Sequence, residues 1–256
     1  MAIAATLILA TSNGYAQAVN DPVSARIVKI AVPGNIFATL VKSRPTGVLL
    51  ETLDLLLRQT KDVPSYITMP TDDAIKGLQE GTLDIATVIV PTPRVKEVAW
   101  LSDPIITEYS IVMVPKGKAF PFTRVSDLYN KRIGVRIGYQ YPLLDSNENV
   151  NLSRYRSDGE MIRALLFDHV DAIMVAAISD NSTFRTEGIL TRFEMLKMAV
   201  GTVPITVAFS KKHYTQQDVE SFNRSLGQFK QSPDWQGMMD HNGLSTLVKD
   251  WPLITQ

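Results

Sequence analysis

Thr71–Val90 reads TDDAIKGLQEGTLDIATVIV, a helix-forming segment that runs into a β-branched apolar one. Thr71–Gln79 predicts a helix with Thr71 or Asp72 as its N-cap and Asp73 in the first turn, where the helix dipole favours a carboxylate. Leu83–Val90 is almost continuously apolar, the pattern of a parallel strand buried on both faces. Working back, Arg26–Val32 (RIVKIAV) is a strand stopped by Pro33-Gly34. Thr46–Lys61 sets Leu49, Leu50, Leu53, Leu56 and Leu57 near helical spacing, and Tyr66–Met69 is a short strand ended by Pro70. The order β-α-β-α-β predicts a doubly wound α/β unit.

Downstream the pattern restarts. Ser110–Pro115 and Arg132–Ile137 read as strands, with a short helix over Val125–Tyr129 between them that Ser126 would cap. Arg132–Ile137 runs out into Gly138-Tyr139-Gln140-Tyr141-Pro142; Ser157–Phe167 then reads as a helix and Asp171–Ala177 as a strand. Pro204–Ser210 is a strand leading out of this second, smaller β-α unit, and helices over Gln217–Gln231 and Asp234–Asn242 finish the chain.

Composition excludes several function classes. Twenty-six Lys and Arg cancel twenty-six Asp and Glu, which argues against a nucleic-acid binder relying on phosphate neutralisation. With no cysteine, disulfides, thiolate nucleophiles, Cys-based zinc sites and iron–sulfur clusters are ruled out. Residues 1–18, MAIAATLILATSNGYAQA, carry no charge, an apolar run from Ala2 to Ala10 and a closing Ala16-Gln17-Ala18. This has the h-region and A-x-A end of a secretory signal peptide without its positive n-region; the alternative is a first buried strand or helix. No stretch reaches 18 apolar residues, so a soluble exported protein is expected. HExxH, P-loop, GxSxG and GxGxxG motifs are absent, and His169, His213 and His241 are scattered. Ser179-Asp180-Asn181 lacks the partner motifs of a β-lactamase. Asp145–Asn149 begins like a calcium loop but has Val150 where glycine is needed and Arg156 where the bidentate glutamate belongs. No metal or cofactor is expected.

An ordered set of patterns remains: LQEGTLDIA at Leu78–Ala86, Thr92-Pro93-Arg94, Leu101-Ser102-Asp103-Pro104, and VMVPK at Val112–Lys116. Ser126-Asp127-Leu128 with Lys131-Arg132-Ile133-Gly134-Val135, HVDAI at His169–Ile173, and PITVAFSK at Pro204–Lys211 complete it. The set resembles the family 3 extracellular solute-binding proteins, the polar-amino-acid-binding components of ABC importers, over nearly the whole chain after residue 18. The resemblance implies a two-lobed, type II periplasmic-binding-protein-like fold, each lobe a small doubly wound sheet, joined by two crossing strands. Lobe 1 would be Arg26–Glu108 plus Phe209–Gln256 and lobe 2 Ile111–Val203, with hinges near Tyr109-Ser110 and Pro204–Ala208. Closure around one solute would be a hinge motion.

It also implies where the solute sits. Arg94 falls near the arginine that grips a carboxylate in a bidentate pair, although an ungapped alignment puts Val95 there. Arg136 ends a strand at the cleft, or is a salt-bridged surface residue. Gly138, Tyr139 and Gln140 match an element that offers main-chain N–H groups, with the Tyr139 ring free to stack. Thr71 lies where relatives place an aromatic ring, or is the helix cap. Asn35 and Phe37 follow the first strand, where Phe37 reads equally as core, and Thr87 and Thr92 flank the end of the third. In amino-acid binders the element matching Asp171–Ala176 ends in an aspartate for the ligand's ammonium; here it ends in Ala176, leaving Glu51, Asp72 or Asp180 to supply a partner. Two arginines without that acid imply a positive site and a carboxylate-bearing solute.

The expected function is therefore a periplasmic, monomeric, non-enzymatic protein that delivers a small polar solute to an ABC permease. A sensory or vestigial domain is one alternative. A cyclohexadienyl dehydratase-like enzyme is another, for which Glu51, Asp72, Glu108 and Glu160 are the available acids.

Overall fold

The structure is a computed structural model that describes residues 26–58, 60, 62–137, 139–180, 184, 188–245 and 251–255. The expected signal segment, residues 1–18, lies outside the described residues. In the first part of the chain, β1 (Ile27–Val32) is followed by a hairpin, β2 (Thr39–Val41) and β3 (Arg44–Thr46), then α1 (Val48–Arg58) and β4 (Val63–Thr68). Next come α2 (Thr71–Glu80), β5 (Ile85–Ile89), α3 (Pro93–Val98), β6 (Ala99–Leu101) and the long β7 (Ile106–Pro115). The second part holds β8 (Arg132–Arg136), α4 (Pro142–Asp145), β9 (Asn151–Tyr155), α5 (Asp158–Leu166) and β10 (Ala172–Ala176). β11 (Phe193–Ser210) returns the chain, which ends in α6 (Gln216–Lys230) and α7 (Pro233–His241).

One nine-stranded sheet organises the molecule, in the order β4-β1-β5-β11-β7-β10-β8-β9, with β6 also pairing β11. β1 is parallel to β4 and β5, and β8 is parallel to β9 and β10. Between these two parallel sets run β7 and β11, antiparallel to each other and to their outer neighbours. β11 is expected only from Pro204; it starts at Phe193 because Phe193–Val203 pairs along β7 before Thr206–Ser210 passes to β5 and β6.

Both sets are covered on both faces, as their near-continuous apolar runs require. On β1, Val28, Ile30 and Val32 join the α1 leucines, Val219, Leu226 and Met239 in one cluster, whereas Ala31 joins Ile75, Leu78 and Val95 in another. Around the second set, Val112 and Val114 of β7 and Met174 of β10 face one cluster, and Ile111 and Met113 of β7 with Ile173 and Val175 of β10 the opposite one. Each fully buried leucine or isoleucine side chain contributes about 1.5–3 kcal/mol relative to exposure.

Three local expectations change. Pro70 takes the extended backbone of the α2 N-cap, with no side-chain bond, so Thr71 and Asp72 lie inside the helix rather than capping it. The turn over Val125–Leu128 starts from Arg124, and Asp127, not Ser126, bonds back to the Thr123 and Arg124 N–H groups. Residues 251–255 were expected with the first lobe. They lie on the second set instead: Leu253 pairs with Ala199, Thr255 with Arg124, and Ile254 is buried beside Val200.

Candidate functional site

The strand registers define a common meeting place. Ala176, the last residue of β10, pairs with Ser110, and β10 runs towards the lower-numbered end of β7. Ile89, the last residue of β5, pairs with Thr206, and β5 runs towards the lower-numbered part of β11. Residues 106–110 of β7 pair with 201–205 of β11. The carboxyl ends of both parallel sets therefore converge on this one stretch of the β7–β11 ribbon. Crevices at strand carboxyl ends are where open α/β sheets bind ligands.

Four ionisable side chains gather on the second-set side. Arg136 ends β8, Asp158 opens α5, Asp180 follows β10, and Glu108 lies on β7. Arg136 Nη1 is 2.5 Å from Asp158 Oδ1, and its guanidinium carbon is 5.8 Å from the centre of the Tyr139 ring. Arg136 Nε is buried with no hydrogen-bond partner among the described residues. Asp158 sits in the first turn of α5, where Ser157 caps the helix and the dipole favours a carboxylate.

Asp180 reaches back one turn, and its Oδ2 accepts the Ala176 N–H at 2.7 Å. Glu108 is buried and accepts the Ile178 N–H at 2.6 Å and the Ser179 N–H at 3.2 Å, so two carboxylates hold the turn after β10. Burial, reinforced by the negative charges of Asp158 and Glu108, pushes the Asp180 carboxyl up to about 7. Burial also raises Glu108, against the N–H groups bonded to it. Arg136 thus has Asp158 and Asp180 close by, and Glu108 stands close to Asp180.

A second group lies past β4 and β5. Thr92 caps α3 through a bond from the Val95 N–H (3.3 Å), which commits its hydroxyl oxygen to the helix. Arg94 Nη1 lies 3.2 Å from Asp72 Oδ1, joining the first turns of α3 and α2, with both side chains exposed. Val95 is 2% exposed and packs under the sheet, so Arg94, not Val95, is the residue presented at the surface. Thr71 is exposed beside Asp72, and Thr87 is buried with its hydroxyl donating to the Ala31 carbonyl.

The remaining expected site residues divide between the Arg136 group and the core. Tyr139 is 53% exposed and Gln140 is exposed, both near Arg136 in sequence; Gly138 lies outside the described residues. Asn35 Oδ1 accepts the Phe37 and Ala38 N–H groups (3.0 and 3.1 Å), which turns the chain and leaves Phe37 3% exposed in the core. Phe37 is therefore a packing residue, not a lining one. Of the three acids that could replace the aspartate missing at Ala176, Glu51 accepts the Gly47 N–H and Asp72 pairs with Arg94; only Asp180 stands at Ala176. Asp158 is the residue sequence reading missed. Its signal was the Ser157–Asp158 helix start, which marks a cap but not its arginine partner.

The family model described as bacterial extracellular solute-binding proteins, family 3, matches residues 30–243. Curated proteins yield no match. Among solved structures, the GluR0 ligand-binding core in complex with L-glutamate is 19% identical at a TM-score of 0.69, covering 88% of this chain and 100% of that one. The periplasmic domain of BvgS from B. pertussis is 15% identical at 0.70, covering 88% of this chain and 44% of that one. ArgBP from T. maritima, in its holo form, is 16% identical at 0.59, covering 85% and 95%. At these identities the likenesses carry the fold, the two-lobed type II periplasmic-binding architecture. With a family match over most of its length and the sheet arranged to suit, the chain belongs to the bacterial extracellular solute-binding proteins, family 3.

Proposed function

We propose that this protein captures a small polar, carboxylate-bearing solute between its two lobes and delivers it, as a periplasmic monomer, to an ABC importer. The observation that carries this reading is the convergence of both sets of strand ends on the β7–β11 ribbon, in a chain of this family. Lobe 1 is residues 26–108 with 209–245, lobe 2 is 111–203 with 251–255, and 109–110 and 204–208 act as hinges. No helix among the described residues is long and apolar enough to cross a membrane, which fits an exported binding protein.

The solute carboxylate is taken by Arg136, whose unpartnered Nε is a donor in waiting, and by Arg94 from the facing lobe. Each arginine then exchanges a protein carboxylate for the solute's, so that the empty site keeps its charges paired. A binding role is favoured over catalysis because the acids weighed from the sequence for proton transfer, Glu51, Asp72, Glu108 and Glu160, are tied to structure. Glu160 bonds the Arg156 N–H, Glu51 the Gly47 N–H, and Glu108 the turn after β10. A second reading, ligand sensing rather than transport, draws on the likeness to the BvgS periplasmic domain.

The test is a thermal-shift screen over amino acids, organic acids and opines, followed by small-angle scattering with each hit. A ligand at a hundred times its Kd stabilises by about 2.7 kcal/mol, a rise of about 5–10 °C for a chain of this size. The radius of gyration should fall on binding. Absence of any hit, or a hit that leaves the shape unchanged, counts against capture by closure. Co-purification with a permease, as opposed to a signalling protein, separates the two readings.

A further inference from the structure

We infer that residues 251–255 anchor a third tie between the lobes, a strap that limits how freely they move about the hinges. The inference rests on the two-lobe reading above and adds to it a control on lobe motion.

Two crossings, on β7 and β11, are expected, after which the chain should stay with lobe 1. It does not. After α7, Leu244 is 2% exposed in the cluster of β1 and the α1 leucines, and its N–H bonds the Met239 carbonyl at 2.9 Å. The Ser245 hydroxyl donates to Asp240 and accepts from Gln236, both on α7. Leu244 and Ser245 therefore belong to lobe 1. Trp251, by contrast, packs against the cluster of Ile111, Met113 and Phe193, and Ile254 is buried with Phe122, Leu196 and Val200. These clusters lie on opposite faces of the second strand set, so the tail grips lobe 2 from both sides.

Main-chain bonds fix the grip. The Ala199 N–H donates to the Pro252 carbonyl at 2.8 Å, and the Ala199 carbonyl accepts the Ile254 N–H at 3.0 Å. The Thr255 N–H donates to the Thr123 carbonyl at 2.9 Å, and the Thr255 carbonyl accepts the Val125 N–H at 3.1 Å. Ala199 can offer both groups because β5 and β6 pair only with residues 206–210 of β11, and β11 shifts register against β7 on either side of Ala199. An open strand edge of this kind is normally covered. Here the cover is tethered to the other lobe. The six peptide links from Ser245 to Trp251 reach about 22 Å at full extension. Any lobe movement that would carry these anchors farther apart is forbidden while the tail stays docked. Fewer open arrangements are then available to the empty protein, so closing on a solute removes less conformational entropy.

The experiment compares solute-free wild type with a variant carrying a flexible Gly-Ser insertion after Ser245, which lengthens the tie and leaves both anchors intact. The chain has no cysteine, so Lys76→Cys on α2 and Arg163→Cys on α5, both exposed, place one spin label on each lobe. An insertion of about ten residues adds about 17 Å of r.m.s. reach and should broaden the label-to-label distance distribution by about half or more. Hydrogen exchange checks the dock: the Ala199 and Val125 amides should be protected in wild type. Ile254→Ser, which puts a hydroxyl into the apolar dock, should expose both amides and broaden the distribution as well. If that variant folds poorly, the insertion decides alone. A distribution unchanged by the insertion overturns the inference and leaves the tail as an edge cover only. Free exchange of Ala199 and Val125 in wild type overturns it too. Every readout is taken without solute, so a blank solute screen overturns solute binding and leaves this inference standing.

Discussion

Arg136 Nη1 and Asp158 Oδ1 lie 2.5 Å apart, so the guanidinium at the end of β8 reaches the proposed site with its charge already answered. A partner that must be displaced lowers the affinity of any carboxylate that replaces it. Asp158→Ala should therefore tighten binding of a carboxylate solute to Arg136, by several-fold, while lowering stability by about 1 kcal/mol, since the pair is partly exposed and screened. Titration with glutarate and urea denaturation of the same variant check both halves. Weaker glutarate binding would mean that Asp158 positions Arg136 rather than occupying it.

Asp180 gives a prediction of opposite sign. Its folded pKa, about 7, lies above the ordinary carboxylate value, so the folded protein holds a proton that the unfolded chain has released. Stability of the ligand-free protein should accordingly fall as pH rises from about 4 to about 7, the unfolded state binding fewer protons throughout that window. Asp180→Asn removes this effect and should raise the melting temperature at pH 8. A purely capping Asp180 would instead make the variant less stable at pH 8.

How much of this the sequence carried depends on how local each signal is. The β-α-β-α-β order over residues 26–90 was legible because leucine spacing in α1 and the apolar run of β5 are local patterns of the chain. β9, NLSRY, was not, since it is a half-exposed edge strand without apolar alternation. The first half of β11 was missed because its pairing with β7 spans two register shifts. At the site, Arg94 and Arg136 were identified but their partners were not. Asp72 and Asp158 each lie 22 residues from the arginine they hold, and nothing in spacing reports that. Phe37 looked like a cleft residue because it follows a strand end; the Asn35 turn that swings it inward is a tertiary matter.

Asp84 anchors the start of β1. It is 6% exposed and receives the Lys29 N–H at 2.8 Å, the Arg26 guanidinium, and His213 Nδ1 at 2.7 Å. Burial works to raise its pKa, but the Lys29 and Arg26 bonds prevail and hold it below the ordinary carboxylate value. A depressed folded pKa contributes stability that is fully present above about 4 and is lost as pH falls through the folded value. Asp84→Asn should cost about 1–2 kcal/mol at pH 7, and the difference from wild type should shrink towards pH 2. Denaturant titrations at the two pH values measure it; a difference that does not shrink would mean the loss comes from packing rather than charge.

Gly47 fixes the hairpin that covers Phe37. Its φ is +95°, and a Cβ there would stand 2.6 Å from the carbonyl carbon and oxygen of Phe37, backbone atoms that cannot swing aside. Phe37 O accepts the Leu49 N–H at 2.9 Å, tying this contact to the first turn of α1. Gly47→Ala therefore meets two penalties at once, a left-handed backbone and a direct clash, and should destabilise by more than the ~1 kcal/mol that positive φ alone costs an L-residue. Phe37→Ala removes a core ring and should cost about 3–5 kcal/mol. Among the described residues no hydrogen bond or ion pair links either one to Glu108, Asp158 or Asp180, so both variants, at temperatures where they stay folded, should bind solute as wild type does. A loss of affinity in folded Phe37→Ala at constant closure would return Phe37 to the ligand site.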